Sequence, residues 1–233
     1  ALNKAVLTAL QAAFTEAKQD PSIKGILLIG SGKAFCAGAD INELTNCDAL
    51  TGYDFARHGQ QVFRQLETLG KPSMALINGV ALGGGCELSQ AATLRIASSA
   101  ARFGQPEVKL GIMPGYGGTQ RLVRLVGRGR ALDLCLSGRL IDADCALQWG
   151  LVSEVVAPEA LLDRGRERLK QITALAPLAI TAMMDAIDQG GALSLEEALQ
   201  LEALYFSKLC ATHDKTEGVA AFLEKRAAVF QGR

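Results

Sequence analysis

The chain has 233 residues, enough to bury a substantial core, and its 24 basic and 24 acidic side chains balance at neutral pH. Balanced charge gives no general attraction to nucleic acid or to an anionic membrane surface, so we expect neither as a partner. No apolar run approaches the roughly 18 residues of a membrane-spanning helix, and no secretory leader is recognisable. We therefore expect a cytoplasmic protein, or one of the mitochondrial matrix if a targeting segment has been removed.

Helix and strand patterns alternate in the first half of the chain. Apolar residues recur at helical spacing over 6–17 and again over 55–69, and a further helix is predicted to start near Gly85. Short apolar runs typical of buried strands are found at 25–29 (GILLI), 74–77 and 94–97. This alternation predicts an α/β protein with a largely parallel sheet flanked by helices.

From Thr119 onward the pattern is almost entirely helical. Asp142 can cap a short helix, and Pro158 and Pro177 stand at predicted helix starts. The one strand predicted in this half is residues 152–156.

The last two predicted helices open with the spacing of capping boxes, at Ser194 with Glu197 and at Asp214 with Glu217. Both helices carry many apolar residues, which must be buried against the body of the protein or against a second copy of the chain. A homo-oligomer is therefore one of two ways to cover this surface.

Three glycine-rich segments follow or join the predicted strands, at 34–40 (AFCAGAD), 78–87 (NGVALGGGCE) and 103–121 (FGQPEVKLGIMPGYGGTQR). The middle segment lacks the spacing of a P-loop or of a dinucleotide-binding fingerprint. If a helix starts near Gly85, the first amides of that helix have no intrahelical partner and lie at the positive end of its dipole. Such amides can stabilise an oxyanion, although a simple tight turn between strand and helix would have the same sequence.

Two acids in these segments are candidates for proton transfer. Taken alone, Glu87 could simply stabilise the helix dipole, and Glu107 could lie on the solvated surface. Together beside an oxyanion site, one carboxylate can take a proton from water while the other supplies one. Cys86 lacks a neighbouring base that would make it a nucleophile. With only two histidines, His58 and His213, the chain gives little support to a zinc site or a Ser-His-Asp triad.

The sequence resembles the enoyl-CoA hydratase/isomerase (crotonase) family along essentially its whole length, and enoyl-CoA hydratases in particular. The matching motifs are FCAGADI, KPSMALINGVALGGGCEL, FGQPEVKLGIMPGYGGTQRL, GLVSEVV and DKTEGVAAFLEKR. The resemblance implies an α/β fold in which ββα units form a spiral core, here residues 1–175. It also implies a C-terminal helical region, residues 176–233, that drives assembly into homotrimers or dimers of trimers.

The resemblance further implies a coenzyme A thioester as substrate, with no metal and no cofactor besides the coenzyme A of the substrate itself. Glu107 matches the general acid that protonates C2, and Glu87 matches the carboxylate that activates water to attack C3. The amides of Ala39 and Gly84 would hold the thioester oxygen, and Gly115 would help to position the water.

Contacts with coenzyme A are implied at six positions, namely Ala37, Asp40, Ile41, Lys225, Phe206 and Phe222. The first three match a loop whose backbone meets the adenine, and Lys225 matches a lysine that reaches the phosphates from a neighbouring subunit. Plain alternatives are a solvated helix lysine for Lys225 and core packing for the two aromatic residues. Asn42 departs from the lysine often found there, which weakens any phosphate contact at that position.

The predicted reaction is syn addition of water across the C2=C3 bond of a trans-2-enoyl-CoA to give a 3-hydroxyacyl-CoA, as in fatty acid β-oxidation. An enoyl-CoA isomerase that uses one carboxylate as a proton shuttle is an alternative, and so is a non-catalytic acyl-CoA- or RNA-binding oligomer. Four clustered arginines could favour RNA, but we expect a solvated, salt-bridged surface because no aromatic residues interleave with them. They are Arg121, Arg124, Arg128 and Arg130.

Overall fold

A computed structural model describes residues 1–45 and 47–233. Its strands are β1 (Ile26–Ile29), β2 (Ala34–Cys36), β3 (Ser73–Ile77), β4 (Val80–Leu82), β5 (Leu94–Ser98), β6 (Arg102–Gly104), β7 (Leu140–Asp142) and β8 (Glu154–Val156). Its α-helices are α1 (Lys4–Gln19), α2 (Ile41–Leu44), α3 (Ala49–Glu67), α4 (Gly84–Ala91), α5 (Gly118–Val126), α6 (Arg128–Ser137), α7 (Ala143–Gln148), α8 (Leu161–Thr173), α9 (Pro177–Gly190), α10 (Leu195–Cys210) and α11 (His213–Glu224). Short 3-10 helices span Pro106–Leu110 and Pro158–Ala160.

The strands form two four-stranded sheets, in the orders β1-β3-β5-β8 and β2-β4-β6-β7. All pairings are parallel except that of β6 with β7. The order strand, strand, helix recurs along the chain, and each repeat contributes one strand to each sheet. The α/β class and the predicted ββα units are therefore confirmed.

The periodicity of the sequence predicted a single sheet. The second sheet corrects that prediction. Its strands β2, β4, β6 and β7 are three residues long, too short for an alternating or continuous apolar pattern to stand out. The strand β7 also interrupts the half of the chain that was predicted to be helical after Thr119.

The first sheet lies in the core. Every residue of β3 is buried, as is typical of a parallel strand covered on both faces. Helix α8 packs on one face so closely that a methyl group at Gly165 would come within 2.6 Å of Leu76, which explains the glycine there. A cluster that includes Phe14, Phe63 and Phe103 fills the space between the sheets and the helices α1, α3 and α4.

Asn78 brings the functional loops together. Its Oδ1 accepts a hydrogen bond from the Gly30 amide at 3.0 Å, and its Nδ2 donates to the Gly32 carbonyl at 2.9 Å. The β1–β2 and β3–β4 turns are thereby tied to each other. Because β2 and β4 run parallel, the loops that leave their carboxyl ends, at 37–40 and 83–84, emerge side by side.

Most of the predicted helix signals are confirmed. Asp142 caps α7, Pro177 is the first residue of α9, and Ser194 and Glu197 form a capping box at α10. The capping box predicted at Asp214 with Glu217 is wrong.

The helix α11 is capped instead by Thr212, whose hydroxyl accepts from the Lys215 amide at 3.1 Å. Asp214 is buried and accepts from the amides of Gln231 and Gly232 at 2.7 and 2.8 Å. The carboxylate therefore holds the C-terminal tail, a long-range contact that no local spacing can predict.

The C-terminal helices only partly pack on the body. The Thr181 hydroxyl of α9 donates to the Gly70 carbonyl at 2.7 Å. In contrast, α10 has no buried residue, and large apolar side chains of α10 and α11 face outward. None of the helices in the described parts of the chain combines the length and the apolar character needed to cross a lipid bilayer.

Candidate active site

A cavity of about 520 Å³ opens at the loops that follow β2 and β4. Its wall includes all five residues for which the resemblance implied a direct part in the chemistry. They are Ala39, Gly84, Glu87, Glu107 and Gly115. Two acids and two backbone amides from three separate segments therefore meet at one place.

The amide of Ala39 points into this cavity because of the way Leu2 pairs with its loop. Leu2 forms an isolated parallel bridge with Ala39, donating to the Gly38 carbonyl at 2.8 Å and accepting from the Asp40 amide at 3.0 Å. In a parallel bridge these bonds go to the two flanking residues, so the N–H of the bridged residue faces the other way. The buried Leu2 side chain anchors the arrangement.

Gly84 is the first residue of α4, and its N–H has no place in the helical hydrogen-bond pattern. A methyl group built on Gly84 would lie 3.3 Å from the Ala39 nitrogen, so the two amides are close neighbours. Within the described parts of the chain, neither N–H donates a hydrogen bond to another residue. The pair is thus available to an external oxyanion, with the positive end of the helix dipole behind it.

Glu87 is buried and held by a turn from a distant part of the sequence. Its Oε1 accepts from the Tyr116 amide at 2.8 Å and from the Gly118 amide at 2.7 Å. Its Oε2 receives no hydrogen bond from the described residues, and the side chain lines the cavity. One oxygen is therefore fixed, while the other can accept a proton or bind a water.

Glu107 lies in the 3-10 helix that follows β6 and is 9% exposed, so the solvated-surface alternative is wrong. A methyl group at Gly83 would come within 2.7 Å of its Oε1, so this carboxylate lies against the start of α4. Proline at the start of the 3-10 helix and the left-handed Gly111 at its end confine the turn.

A buried amide supports Glu107. We assign the Gln105 side chain with its nitrogen toward the carboxylate, because the reverse would set oxygen against oxygen. In this orientation the nitrogen lies 3.1 and 3.2 Å from the two oxygens of Glu107, and the amide oxygen accepts from Gln90 at 3.2 Å.

Electrostatics couple the two acids. Burial raises the pKa of Glu87 to about 7; the Gly118 hydrogen bond opposes this rise and the nearby charge of Glu107 adds to it. Burial also raises the pKa of Glu107. Both acids therefore hold a proton more readily than a solvated glutamate does, which suits them to give and take protons.

Another wall of the cavity comes from the region 44–55, through Leu44, Cys47, Gly52 and Phe55. Residue 46 of that region lies outside the described residues. The ring of Tyr116 closes this side, with ring centroids 5.2 Å from Phe55 and 5.5 Å from Phe63. This part of the wall is mostly apolar, although Asp48 also belongs to it, and it suits a hydrocarbon chain.

The residues implied to contact coenzyme A divide into two groups. Ala37 and Ile41 line the cavity mouth, and Asp40 caps α2 through the Asn42 amide at 3.0 Å. The other three, Lys225, Phe206 and Phe222, lie on the C-terminal helices, outside the described lining of the cavity.

The alternative that the two aromatic residues pack in the core is wrong, since Phe206 is 70% and Phe222 is 83% exposed. Lys225 ends α11 in the left-handed conformation, with φ 57°. A single chain therefore does not bring these three side chains to the cavity, and their predicted ligand contacts stay predictions.

Burial and pairing bear on two alternatives weighed on the sequence. Cys86 is fully buried, and burial raises the pKa of its thiol to about 12, so the nucleophile alternative is wrong. Arg121 forms a two-point ion pair with Glu67, and Arg130 stacks on Trp149 with 5.5 Å between guanidinium and ring centre. The arginine cluster is thus partly engaged within the fold.

Sequence reasoning missed the partners that hold the two acids. The amides of Tyr116 and Gly118 carry no side-chain signal, although the Gly-Tyr-Gly-Gly run marks an unusual turn. Gln105 sits two residues before Glu107, and its burial could not be read from composition. Contacts that join residues about 30 positions apart depend on the fold.

Comparison with known proteins shows the family of this chain. Residues 1–233 match the family described as enoyl-CoA hydratase/isomerase, and the chain belongs to that family. It is 46% identical to the crotonyl-CoA hydratase of Syntrophomonas wolfei, over 99% of this chain and 89% of that protein. It is 44% identical to the short-chain-enoyl-CoA hydratase of Clostridium acetobutylicum, over 97% of this chain and 87% of that protein.

The fold comparison leads to the same group. A crystal structure of an enoyl-CoA hydratase from Bacillus anthracis superposes with a TM-score of 0.95 at 38% identity, covering 100% of this chain and 90% of that one. Within the family, this chain therefore stands with the enoyl-CoA hydratases, which confirms the resemblance read from the motifs.

Proposed function

We propose that this protein hydrates trans-2-enoyl-CoA thioesters to 3-hydroxyacyl-CoA by a two-carboxylate mechanism. The observation that carries the proposal is the convergence of Glu87 and Glu107 on one cavity beside the free amides of Ala39 and Gly84. The names of the relatives, crotonyl-CoA hydratase and short-chain-enoyl-CoA hydratase, support a short acyl chain as substrate.

In this mechanism the thioester oxygen accepts from the amides of Ala39 and Gly84, which polarises the conjugated system. A water between the carboxylates, positioned by Gly115, loses a proton to Glu87 as its oxygen bonds to C3. The C2=C3 electron pair moves toward the thioester oxygen, and the enolate takes a proton at C2 from Glu107. One water has then been added, and the proton on Glu87 returns to Glu107 to restore the starting state.

The surroundings of the two acids support different roles for them. The two amides on Oε1 of Glu87 favour its ionised form, as a base requires, whereas its burial favours the protonated form. We give Glu107 the acid role because the family resemblance implies it, and because its carboxylate lies against Gly83, the neighbour of the oxyanion residue Gly84.

The test is hydration of crotonyl-CoA, followed as loss of the conjugated-thioester absorbance. We expect Glu107→Gln to lower kcat by roughly 10²-fold or more, because a glutamine cannot deliver the C2 proton. Glu159→Gln is a matched control, since Glu159 also follows a proline in a short 3-10 helix but is exposed. A near-normal rate for Glu107→Gln would remove Glu107 from the mechanism, and equal rates for wild type and the double glutamine variant would refute hydration.

Proton exchange distinguishes the two roles. In D₂O, wild-type protein should exchange the C2 protons of butyryl-CoA, a saturated analogue, and Glu107→Gln should lose this exchange while Glu87→Gln keeps most of it. The reverse pattern by NMR would exchange the assignments. Conversion of a 3-enoyl-CoA to the 2-enoyl isomer without hydration would support the isomerase alternative instead.

The proposal extends to the setting of the enzyme. It acts without a cofactor other than the substrate's own coenzyme A, in the cytoplasm or the mitochondrial matrix. It assembles as a homotrimer or a dimer of trimers through its C-terminal helices, and Lys225, Phe206 and Phe222 then meet coenzyme A bound to a neighbouring subunit. The exposed apolar surface of α10 and α11 supports this arrangement.

A further inference from the structure

The turn that holds Glu87 is itself held from behind. Its amides at Tyr116 and Gly118 donate to Glu87 Oε1 at 2.8 and 2.7 Å. On the opposite side of the turn, the carbonyl of Gly115 accepts a hydrogen bond from Nε2 of Gln60 at 2.9 Å. Gln60 is a half-buried residue of α3, and 27 residues separate it from Glu87 along the chain.

The carbonyl of Gly115 and the N–H of Tyr116 belong to the same peptide unit. A trans peptide is planar, and its C=O and N–H point in opposite directions. A donor fixed on the oxygen therefore fixes the direction of the N–H. It also polarises the unit and strengthens the bond that the N–H donates.

The side chain of Gln60 is oriented for this task by a second contact. Its Oε1 accepts from Nη1 of Arg57 at 2.9 Å, so its nitrogen is the atom turned toward Gly115. A continuous series of hydrogen bonds thus runs from Arg57 through Gln60 and one peptide unit to the carboxylate of Glu87.

The other amide that holds Glu87, that of Gly118, is oriented by hydrogen bonds between backbone groups. The carbonyl of Gly117, in the peptide unit of the Gly118 N–H, accepts from the amides of Gln120 and Arg121 at 3.0 and 2.9 Å. The Arg121 side chain binds the next carbonyl, that of Tyr116, at 2.7 Å. Of the side chains in the described structure, Gln60 is the one that bonds to a peptide unit in direct contact with Glu87.

We propose that Gln60 is a positioning residue for hydration, which acts on the reaction through the Gly115–Tyr116 peptide by orienting Glu87 and favouring its ionised form. This inference rests on the proposed hydratase function. It assigns to α3 a role in the chemistry besides its packing in the core.

The charged and titratable groups around Glu87 would stay in place when Gln60 is replaced. They are Glu107 from the 3-10 helix, Arg121 from α5, the phenol of Tyr116, Cys135 from α6 and the neighbouring Cys86. A change in the titration of Glu87 on replacing Gln60 would therefore report the lost hydrogen bond.

The first experiment is the pH dependence of crotonyl-CoA hydration by Gln60→Met, which keeps the side-chain length and removes the donor. We expect kcat to fall about tenfold with KM within about twofold, because the base is misoriented while the substrate contacts remain. We expect the low-pH side of the kcat profile to move about half a unit upward, because the ionised form loses support. Gln61→Met, an exposed neighbour on the same helix, is the matched control and should behave as wild type.

A double-mutant cycle shows whether the effect passes through Glu87. In the Glu87→Gln background, Gln60→Met should change the residual rate by less than about twofold, because the group it positions is already absent. A full tenfold loss in that background would mean that Gln60 acts elsewhere, and would overturn the proposal.

Separate controls address the folding of the variants and the proposed hydratase function. If Gln60→Met melts well below wild type, Gln60→Leu replaces it, since leucine likewise has no donor for the Gly115 carbonyl and adds no charge near Glu87. A folded variant of either kind whose kcat and pH profile match wild type overturns the proposal. Inactive wild-type protein would instead refute hydration, and ¹³C NMR titration of Glu87 would then still decide whether Gln60 sets its ionisation.

Discussion

Glu87 illustrates how a single residue is stabilised for function rather than for folding. Its carboxylate is almost completely buried, which makes its ionisation unfavourable. The two backbone amides that bind one oxygen partly offset this cost. The neighbouring Glu107 makes ionisation harder still. Such a group costs the fold free energy whenever it is charged, and an isosteric neutral side chain should remove that cost.

We predict that Glu87→Gln stabilises the protein at pH 8 but hardly at pH 5. The folded-state pKa of Glu87 is raised from 4.5 to about 7, so between these values the folded protein holds a proton that the unfolded chain has lost. Stability therefore falls as pH rises through this window, and glutamine escapes the loss. We expect a gain on the order of 2 kcal/mol at pH 8, measured by urea unfolding.

The control for this experiment is Glu159→Gln, which alters an exposed carboxylate. It should change stability by less than about 0.5 kcal/mol at either pH. If Glu87→Gln gave the same stability change at pH 5 and pH 8, Glu87 would not titrate in this window.

At the scale of elements, local signals decide where helices begin when their side chains have no competing contact. The capping box at α10 is an example, since Ser194 and Glu197 bond each other's backbone and each other's side chain. Aspartate also caps helices, and Asp214 stands at the same spacing from a glutamate, yet its carboxylate binds the C-terminal tail and Thr212 caps the helix. A long-range contact here overrides a local preference.

We predict that Ser194→Ala lowers the free energy of unfolding by about 1 kcal/mol, because the amide of Glu197 loses its acceptor. Ser207→Ala, the same substitution at an exposed position within α10, should be neutral or slightly stabilising. Both are compared by urea unfolding. Equal effects of the two substitutions would mean that the box does not stabilise the helix.

At the scale of the whole molecule, the C-terminal helices leave a large apolar surface uncovered in a single chain. The exposed side chains include Leu195, Leu204, Phe206, Phe222 and Leu223. Many exposed large apolar side chains on neighbouring helices are typical of protein interfaces. It fits the proposed homotrimer, in which the surface of each chain is covered by its neighbours.

We predict that the protein sediments at three or six times its chain mass of 24.6 kDa. Phe206→Glu should shift this toward the monomer, because it places a charge on the apolar surface of α10. Ser207→Glu adds the same charge on the same helix without removing apolar area and should change assembly less. A monomeric wild-type protein at micromolar concentration would refute the assembly.

Features that depend on residues close together in the chain could be predicted from the sequence. The longer strands, the starts of α7, α9 and α10, and the glycine-rich turns all follow from spacing within a few residues. The motifs around Glu87 and Glu107 carry the family resemblance and hence the candidate acids, with Ala39 and Gly84 as their oxyanion partners. These signals persist because periodicity, capping and turn preferences act between near neighbours in the chain.

Only the tertiary structure decided how these parts meet. The second sheet has strands too short to leave a periodic pattern, and the amide of Ala39 is turned inward by Leu2, which lies 37 residues away. The hydrogen bonds that fix Glu87 come from backbone amides, which every residue type except proline possesses, and Gln60 supports them through a backbone carbonyl. Backbone partners leave no mark on amino-acid identity, so their geometry is determined by the fold and not by any local feature of the sequence.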